Sequence, residues 1–340
     1  AVGDALGLPA EGLSPSRRRR LLPGDWRHRL LFGHGMVSDD TEHTLFVAQS
    51  LLKHPADVDA FQRRLAWHLR WWFASVPAGL GLATIKACVK LWLGFPPSRA
   101  GVRLAGNGPA MRSALIGGYF YDRPEMLRSF VEASSRVTHR DLKATVGAEA
   151  VARIVAWAIA HDPVAVPRAE AIAELLVELG CQDSLWCQAI ERLEPGIATG
   201  ASVADFAASL GLAKGVTGYV FHTVPVAIYA WLRHYGDFRT TLEAVLDCGG
   251  DTDTVGAIAG ALAGATVGEA GIPAPWLRGI IEWPRSLRLL RTVAQRLEDQ
   301  LRRGEPLGEV SYPWLAVFPR NLFFLAVVLF HGFRRLAPPY

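Results

Sequence analysis

Four glycines, Gly256, Gly260, Gly264 and Gly268, recur every four residues in the apolar run Val255–Gly268. At that spacing they stack on one face of a helix. Each costs a helix roughly 1 kcal/mol relative to alanine, so a glycine stripe needs a compensating contact, and another backbone approaching that face supplies one. The run is introduced by Gly249-Gly250-Asp251-Thr252-Asp253-Thr254. Both carboxylates therefore fall at the N-terminus of a closely packed helix, where the helix dipole and free N–H groups favour ionised acids. An N-cap role would account for one aspartate. It would leave the other, and the threonines, without a reason.

A second acidic cluster, Ser38-Asp39-Asp40-Thr41, precedes Leu45, Ala48 and Leu52, which keep helical spacing. Two helix starts thus carry two aspartates each. If they converge, repulsion and burial would raise several of their pKa values unless cations neutralise them. Oxygen-only ligands select hard divalent ions such as Mg2+, Mn2+ or Ca2+ over zinc.

Gly3-Asp4-Ala5-Leu6-Gly7-Leu8-Pro9-Ala10-Glu11, the Ser38–Thr41 cluster and the Gly249–Thr254 cluster follow one another in order. Together with Asn107-Gly108-Pro109-Ala110-Met111-Arg112 and Gly218–Pro225, they resemble the ADP-ribosylglycohydrolase family over roughly residues 1 to 270. The resemblance implies two Mg2+ (or Mn2+) ions held by Ser38, Asp39, Asp40, Asp251, Asp253 and Thr254. It implies Glu11 as catalytic acid/base, with Asp40 as a second catalytic carboxylate besides its place among the metal ligands. Asn107 and Gly108 would contact the diphosphate and ribose, and His139, in a Thr-His pair like one in the family, would contact the ligand. Tyr219 is a candidate to stack on adenine, although an aromatic in so apolar a run also suits the core. Arg99 and Arg103 precede the Asn107 segment without a carboxylate, so an additional acid from that loop is not expected. The implied partners are an ADP-ribosylated protein substrate and ADP-ribose as product. The implied reaction is hydrolysis at the ribose C1 glycosidic bond. A non-catalytic ADP-ribose-binding or immunity-type protein is the alternative, and a different metal-dependent hydrolase a further rival.

Helical patterns at about 57–73, 79–93, 108–118, 124–136 and 140–160, with strand-like alternation nearly absent, predict an all-α globule. Further helices are expected near 184–194, 203–210, 218–235 and 285–303. Asp4 reads as a structural cap or buried acceptor. Residues 12 to 37 read as a loop that could serve as a flap over the metals, where His34 could face the site, although a lone loop histidine is more often uninvolved. The division expected is a catalytic domain over 1–284 and a helical extension over 285–340 packed on it.

Of the 340 residues, 50% are hydrophobic and 20% charged, with a net charge of +4, which suits a large core. Arg17–Arg20 is the one dense basic run, expected to be a solvated loop, and no nucleic-acid partner is expected. Cys88, Cys181, Cys187 and Cys248 form no CxxC pair, which favours a reducing, cytoplasmic location over a disulfide framework. No signal peptide is visible. Near the C-terminus, nine apolar residues from Leu322 to Phe330 follow Pro319-Arg320-Asn321. That triplet is expected to break the apolar segment, leaving a helix docked on the core or on another subunit. An interfacial helix with Arg334 and Arg335 at lipid head groups is the less favoured reading.

Overall fold

The computed structural model describes residues 1–335. Among them the chain is helical, with isolated β-bridges and no sheet. Its axis is the Thr252–Val267 helix, which buries Val255, Ile258, Ala259 and Leu262. The first helix, Val2–Gly7, lies against it with little room between the backbones. A Cβ added to Gly3 would fall 1.9 Å from the Gly256 carbonyl oxygen, and one on Gly7 would fall 2.2 Å from that of Thr252. Two of the four stripe glycines, Gly256 and Gly260, face this contact. Gly264 meets only the Phe238 ring at ordinary distance, and Gly268, at φ 67°, ends the helix. The stripe is therefore part packing surface and part C-cap.

The Val220–Arg233 and Phe238–Leu246 helices complete one apolar core with the central helix. A second core gathers Asp39–Lys53, Val58–Ala74, Pro124–Thr138 and Leu287–Arg303. The Leu142–Ala160 helix contributes to both.

Several boundaries differ from expectation. The helix expected at 79–93 begins at Leu82, and 108–118 divides into Gly108–Met111 and Ala114–Tyr119. The segment near 184–194 divides in the same way, into Ser184–Glu191 and Leu193–Ala198. Arg17–Arg20 is helical, not a loop. The Ser14 hydroxyl caps Pro15–Leu21, and Pro15 occupies the position where a missing N–H does no harm. Arg18 is buried, 4.1 Å from the Trp26 ring centroid and 3.6 Å from Asp247 Oδ1.

The C-terminal helix, Val317–Arg334, runs through Pro319-Arg320-Asn321 without a break. Pro319 lies in the first turn, where an N–H has no intrahelical acceptor to lose. The inner face buries Phe324 and Val327 against Leu8, Leu30 and Met36. Its polar residues grip the N-terminal part of the chain. Arg320 donates to Glu282 and, at 2.6 Å, to the Val37 carbonyl. Asn321 donates to the Ser75 carbonyl and hydroxyl, and His331 Nε2 to the Leu30 carbonyl at 2.6 Å. Arg335 donates to the carbonyls of Glu11 at 2.6 Å and Pro9 at 2.8 Å.

Candidate active site

Loops that meet one another through single bridges build the site. Gly12 N–H donates to the Gly250 carbonyl at 2.7 Å, and Gly250 N–H returns a bond to Leu13 at 2.8 Å. On the other side, Val216 N–H donates to Gly249 and Asp251 N–H to Val216. Gly250 is thus held between two strands of loop. It adopts φ 84°, and a Cβ there would lie 1.9 Å from the Val216 oxygen. Only glycine fits. A neighbouring pair of bonds, Asn107 N–H to Gly218 and Val220 N–H to Ala105, joins the Asn107 segment to the Tyr219 segment. A third joins Val102 to the Thr138–Arg140 turn.

These loops enclose a cavity of about 660 Å³. Glu11, Asp39, Asp251, Asp253 and Thr254 line it, together with Asn107, Gly108, His139 and Tyr219. Ser38 and Asp40 do not line it; both are buried, and Asp40 borders a separate cavity together with Ala1, Val2 and Gly3. Asp40 Oδ2 accepts from Ser38 Oγ at 3.1 Å and from Thr254 Oγ1 at 3.3 Å, which ties the two acidic helix starts together. Asp40 Oδ1 is buried with no hydrogen-bond partner.

Asp251 stands at the N-cap position of the central helix, yet its side chain makes no capping bond. It accepts instead from Asn107 Nδ2 at 2.7 Å. Asn107 also donates to Thr223 Oγ1 at 3.0 Å, so its amide is oriented from two sides. His139 fits between Gly106 and Gly108, where an added Cβ would lie 2.9 Å and 3.0 Å from the imidazole. Burial, and then the Arg112 charge, push His139 down to about 3, so the ring is neutral. Arg112 is itself wholly buried, donating to Ser134 and to Thr138 Oγ1, and burial lowers it to about 10. Tyr219 is half-buried and accepts from Lys143 Nζ at 3.3 Å, while Phe221 packs into the core against Trp186.

Electrostatics bear the mark of crowding. The carboxyls of Asp39, Asp40 and Asp253 stand well above the usual range, pushed there by burial and then by neighbouring carboxylates. For Asp39 and Asp40 the foremost of these neighbours is Asp4, and for Asp253 it is Glu11. Glu11 is raised by burial and by Asp251, against the opposing pull of Arg335.

The donor chemistry fits hard divalent cations. All the acidic groups offer oxygen, they repel one another, and one buried oxygen has no partner. Among the described residues no three His, Cys, Asp or Glu side chains form a closed ion cage. Hydroxyls, water or ligand oxygens would have to complete any coordination shell.

Of residues 12–37, Gly12 alone lines this cavity, and His34 is exposed on a tight turn. They form no flap over it, because Leu30 and Met36 are packed beneath the C-terminal helix. The wall comes instead from Gly79, Gly81, Leu82 and Thr84, whose closely spaced glycines were the available sequence signal. Arg335, which the interfacial reading puts at lipid head groups, instead donates to the Glu11 and Pro9 carbonyls, and Thr223 holds the Asn107 amide; neither role shows in the sequence because each depends on a distant partner.

The family model described as ADP-ribosylglycohydrolase matches residues 1–306. ADP-ribosylhydrolase ARH3 of Gallus gallus is 27% identical, over 81% of this chain and 85% of its own length. The ADP-ribosyl-[dinitrogen reductase] glycohydrolase of Rhodospirillum rubrum is 28% identical, over 82% of this chain and 86% of its own. A solved structure titled ADP-ribosylglycohydrolase-related protein complex superposes with a TM-score of 0.62 at 28% identity, covering 89% of this chain and 94% of that one. With a helical fold, paired acidic helix starts and a family match over most of its length, the chain belongs to the ADP-ribosylglycohydrolase family.

Proposed function

We propose that this chain removes ADP-ribose from a modified protein side chain by hydrolysing the glycosidic bond at ribose C1. One observation carries the reading: Glu11, Asp39, Asp251 and Asp253 share a single cavity with Asn107, Gly108 and His139. Acids that could stabilise a cationic sugar thus sit beside uncharged groups that could bind phosphate oxygens. Both relatives named above carry an ADP-ribose-cleaving activity in their titles.

Ser38, Asp39, Asp40, Asp251, Asp253 and Thr254 would hold two Mg2+ or Mn2+ ions. Such ions bind vicinal hydroxyls and polarise water. Glu11, with its raised pKa, can hold a proton and pass it to the leaving group, or take one from water. The neighbouring aspartates stabilise positive charge developing at C1. Asn107, fixed by Thr223 and Asp251, orients the ribose and diphosphate. The neutral imidazole of His139 can donate to a phosphate oxygen without adding charge, and Tyr219 offers a ring to adenine.

The test is release of free ADP-ribose from arginine-linked and serine-linked peptides with Mg2+, Mn2+ or EDTA. Release should require metal and favour one linkage. Glu11→Gln should lower turnover roughly a thousandfold while ADP-ribose affinity stays near its original value. Full turnover in that variant would remove Glu11 from the chemistry. Binding without release from either peptide would make the chain an ADP-ribose receptor.

A further inference from the structure

The C-terminal helix has two apolar faces, and the fold uses one. On the outer face Phe318, Leu322, Phe323, Leu329, Phe330 and Phe333 are all exposed. Helical spacings of four and seven residues, as in Phe318, Leu322, Leu329 and Phe333 and in Phe323 and Phe330, align them in one stripe. Phe32 adds to it. This residue is 95% exposed and sits at φ 47°, at the tip of the Leu31–His34 turn that His331 anchors through the Leu30 carbonyl. An aromatic side chain held wholly in solvent on left-handed backbone is unfavourable on both counts. So large an apolar surface on one side of a domain marks an interaction site.

Charge selects the partner. No acidic residue lies between Val317 and Arg335. The end of the helix carries exposed Arg334, and beside it stands exposed Arg17, whose guanidinium donates to the Arg335 carbonyl at 3.5 Å. Arg19, on the same short helix as Arg17, is exposed as well. A second copy of the chain would bring only more positive charge to this rim. An anionic surface would neutralise it.

We propose that the outer face of the C-terminal helix, with Phe32, lies on the surface of an anionic lipid bilayer, with the rim arginines at the head groups. An aromatic and aliphatic face bordered by arginine is the chemistry of an interfacial helix. Trp314–Arg334 is long and apolar enough to cross a bilayer. Its inner face, however, is committed to the protein through Arg320, Asn321 and His331. The helix therefore lies along the surface instead of spanning it. The helical part of the stripe falls beyond the segment that matches the family model, and the proposal does not depend on which bond the cavity cleaves.

Vesicle co-sedimentation of the full chain tests it, with phosphatidylcholine alone and with phosphatidylcholine mixed with phosphatidylglycerol. The protein should sediment with the mixed vesicles, and less so as salt rises. Arg17→Gln with Arg334→Gln should weaken that binding roughly thirtyfold. Phe323→Ser with Phe330→Ser should abolish it while leaving the thermal melting of these surface variants unchanged. Failure to sediment with either vesicle, or equal sedimentation with both, overturns the proposal. So does a dimer of the free protein in sedimentation velocity that the Phe323→Ser, Phe330→Ser variant dissolves, because the stripe would then be a self-association surface.

Discussion

The two acidic helix starts look alike in sequence and are built in opposite ways. At Asp39–Lys53 the end of the helix is satisfied from outside. Buried Asp4 accepts the Ser38 N–H at 3.0 Å, the Thr41 N–H at 3.3 Å and the Thr41 hydroxyl at 2.5 Å. Ser38 Oγ adds a cap at the Asp40 N–H. At Thr252–Val267 no side chain caps the helix through Asp251. The approach is held by backbone bonds of Gly249, Gly250 and Asp251 and by the Thr252 hydroxyl, which donates to the Gly7 carbonyl at 2.8 Å, and Asp251 turns toward Asn107. One start spends a carboxylate on structure so that Asp39 can face the cavity. The other relies on glycine conformation, so that both of its carboxylates face the cavity, each accepting a hydrogen bond: Asp251 from Asn107 and Asp253 from the Thr254 N–H.

The glycine-built start should be the more brittle. Gly250→Ala places a Cβ 1.9 Å from the Val216 carbonyl at φ 84°, and should cost about 4 kcal/mol. Urea unfolding measures the loss, and a variant within error of the parent would show that these loops yield easily. Asp4→Ala should cost somewhat less, about 2–3 kcal/mol, because it strands buried donors but also removes a carboxylate from a crowded region. It should weaken metal binding as well, since Asp39 loses its support. Calorimetric titration with Mn2+ distinguishes this from a purely structural effect, for which metal affinity would hold. Asn107→Ala should be mildest, about 1 kcal/mol in stability, with roughly tenfold weaker ADP-ribose binding. An unchanged dissociation constant would mean that Asp251 needs no partner to be positioned.

Much of this contrast was legible beforehand, and part was not. Helix starts announce themselves through aspartate, serine and the apolar period that follows, so Ser38–Asp40 and Asp251–Asp253 could be placed at once. Asp4, flanked by small residues before a proline, could be read as an internal acceptor. The stitching of the site could not. Leu13, Gly250, Val216, Gly106 and Tyr219 meet as isolated bridges, and a single bridge is too short to impose an alternating pattern. The Gly79–Thr84 wall was hidden because helical periodicity does not show where the first turn begins. The grip of Arg335 falls on backbone carbonyls, which every residue possesses, and that of Arg320 on the Val37 carbonyl and on Glu282, 38 residues away, so neither leaves a local trace in the sequence. Arg17–Arg20 was misjudged because a run of charge says little about backbone when Ser14-Pro15 already supplies a helix start.

The C-terminal grip also bears on the order in which the protein comes into being. Glu11 leaves the ribosome early, but the guanidinium that holds its carbonyl belongs to Arg335, and the one that holds Val37 beside the Asp39 cluster belongs to Arg320. These contacts span more than two hundred residues, and loop closures of that length form late and slowly. A nascent chain can therefore assemble its central helices while the loop carrying its acid remains unfastened. Competence should then wait for the Val317–Arg334 helix to dock, so a chain truncated before Val317 should be compact but idle.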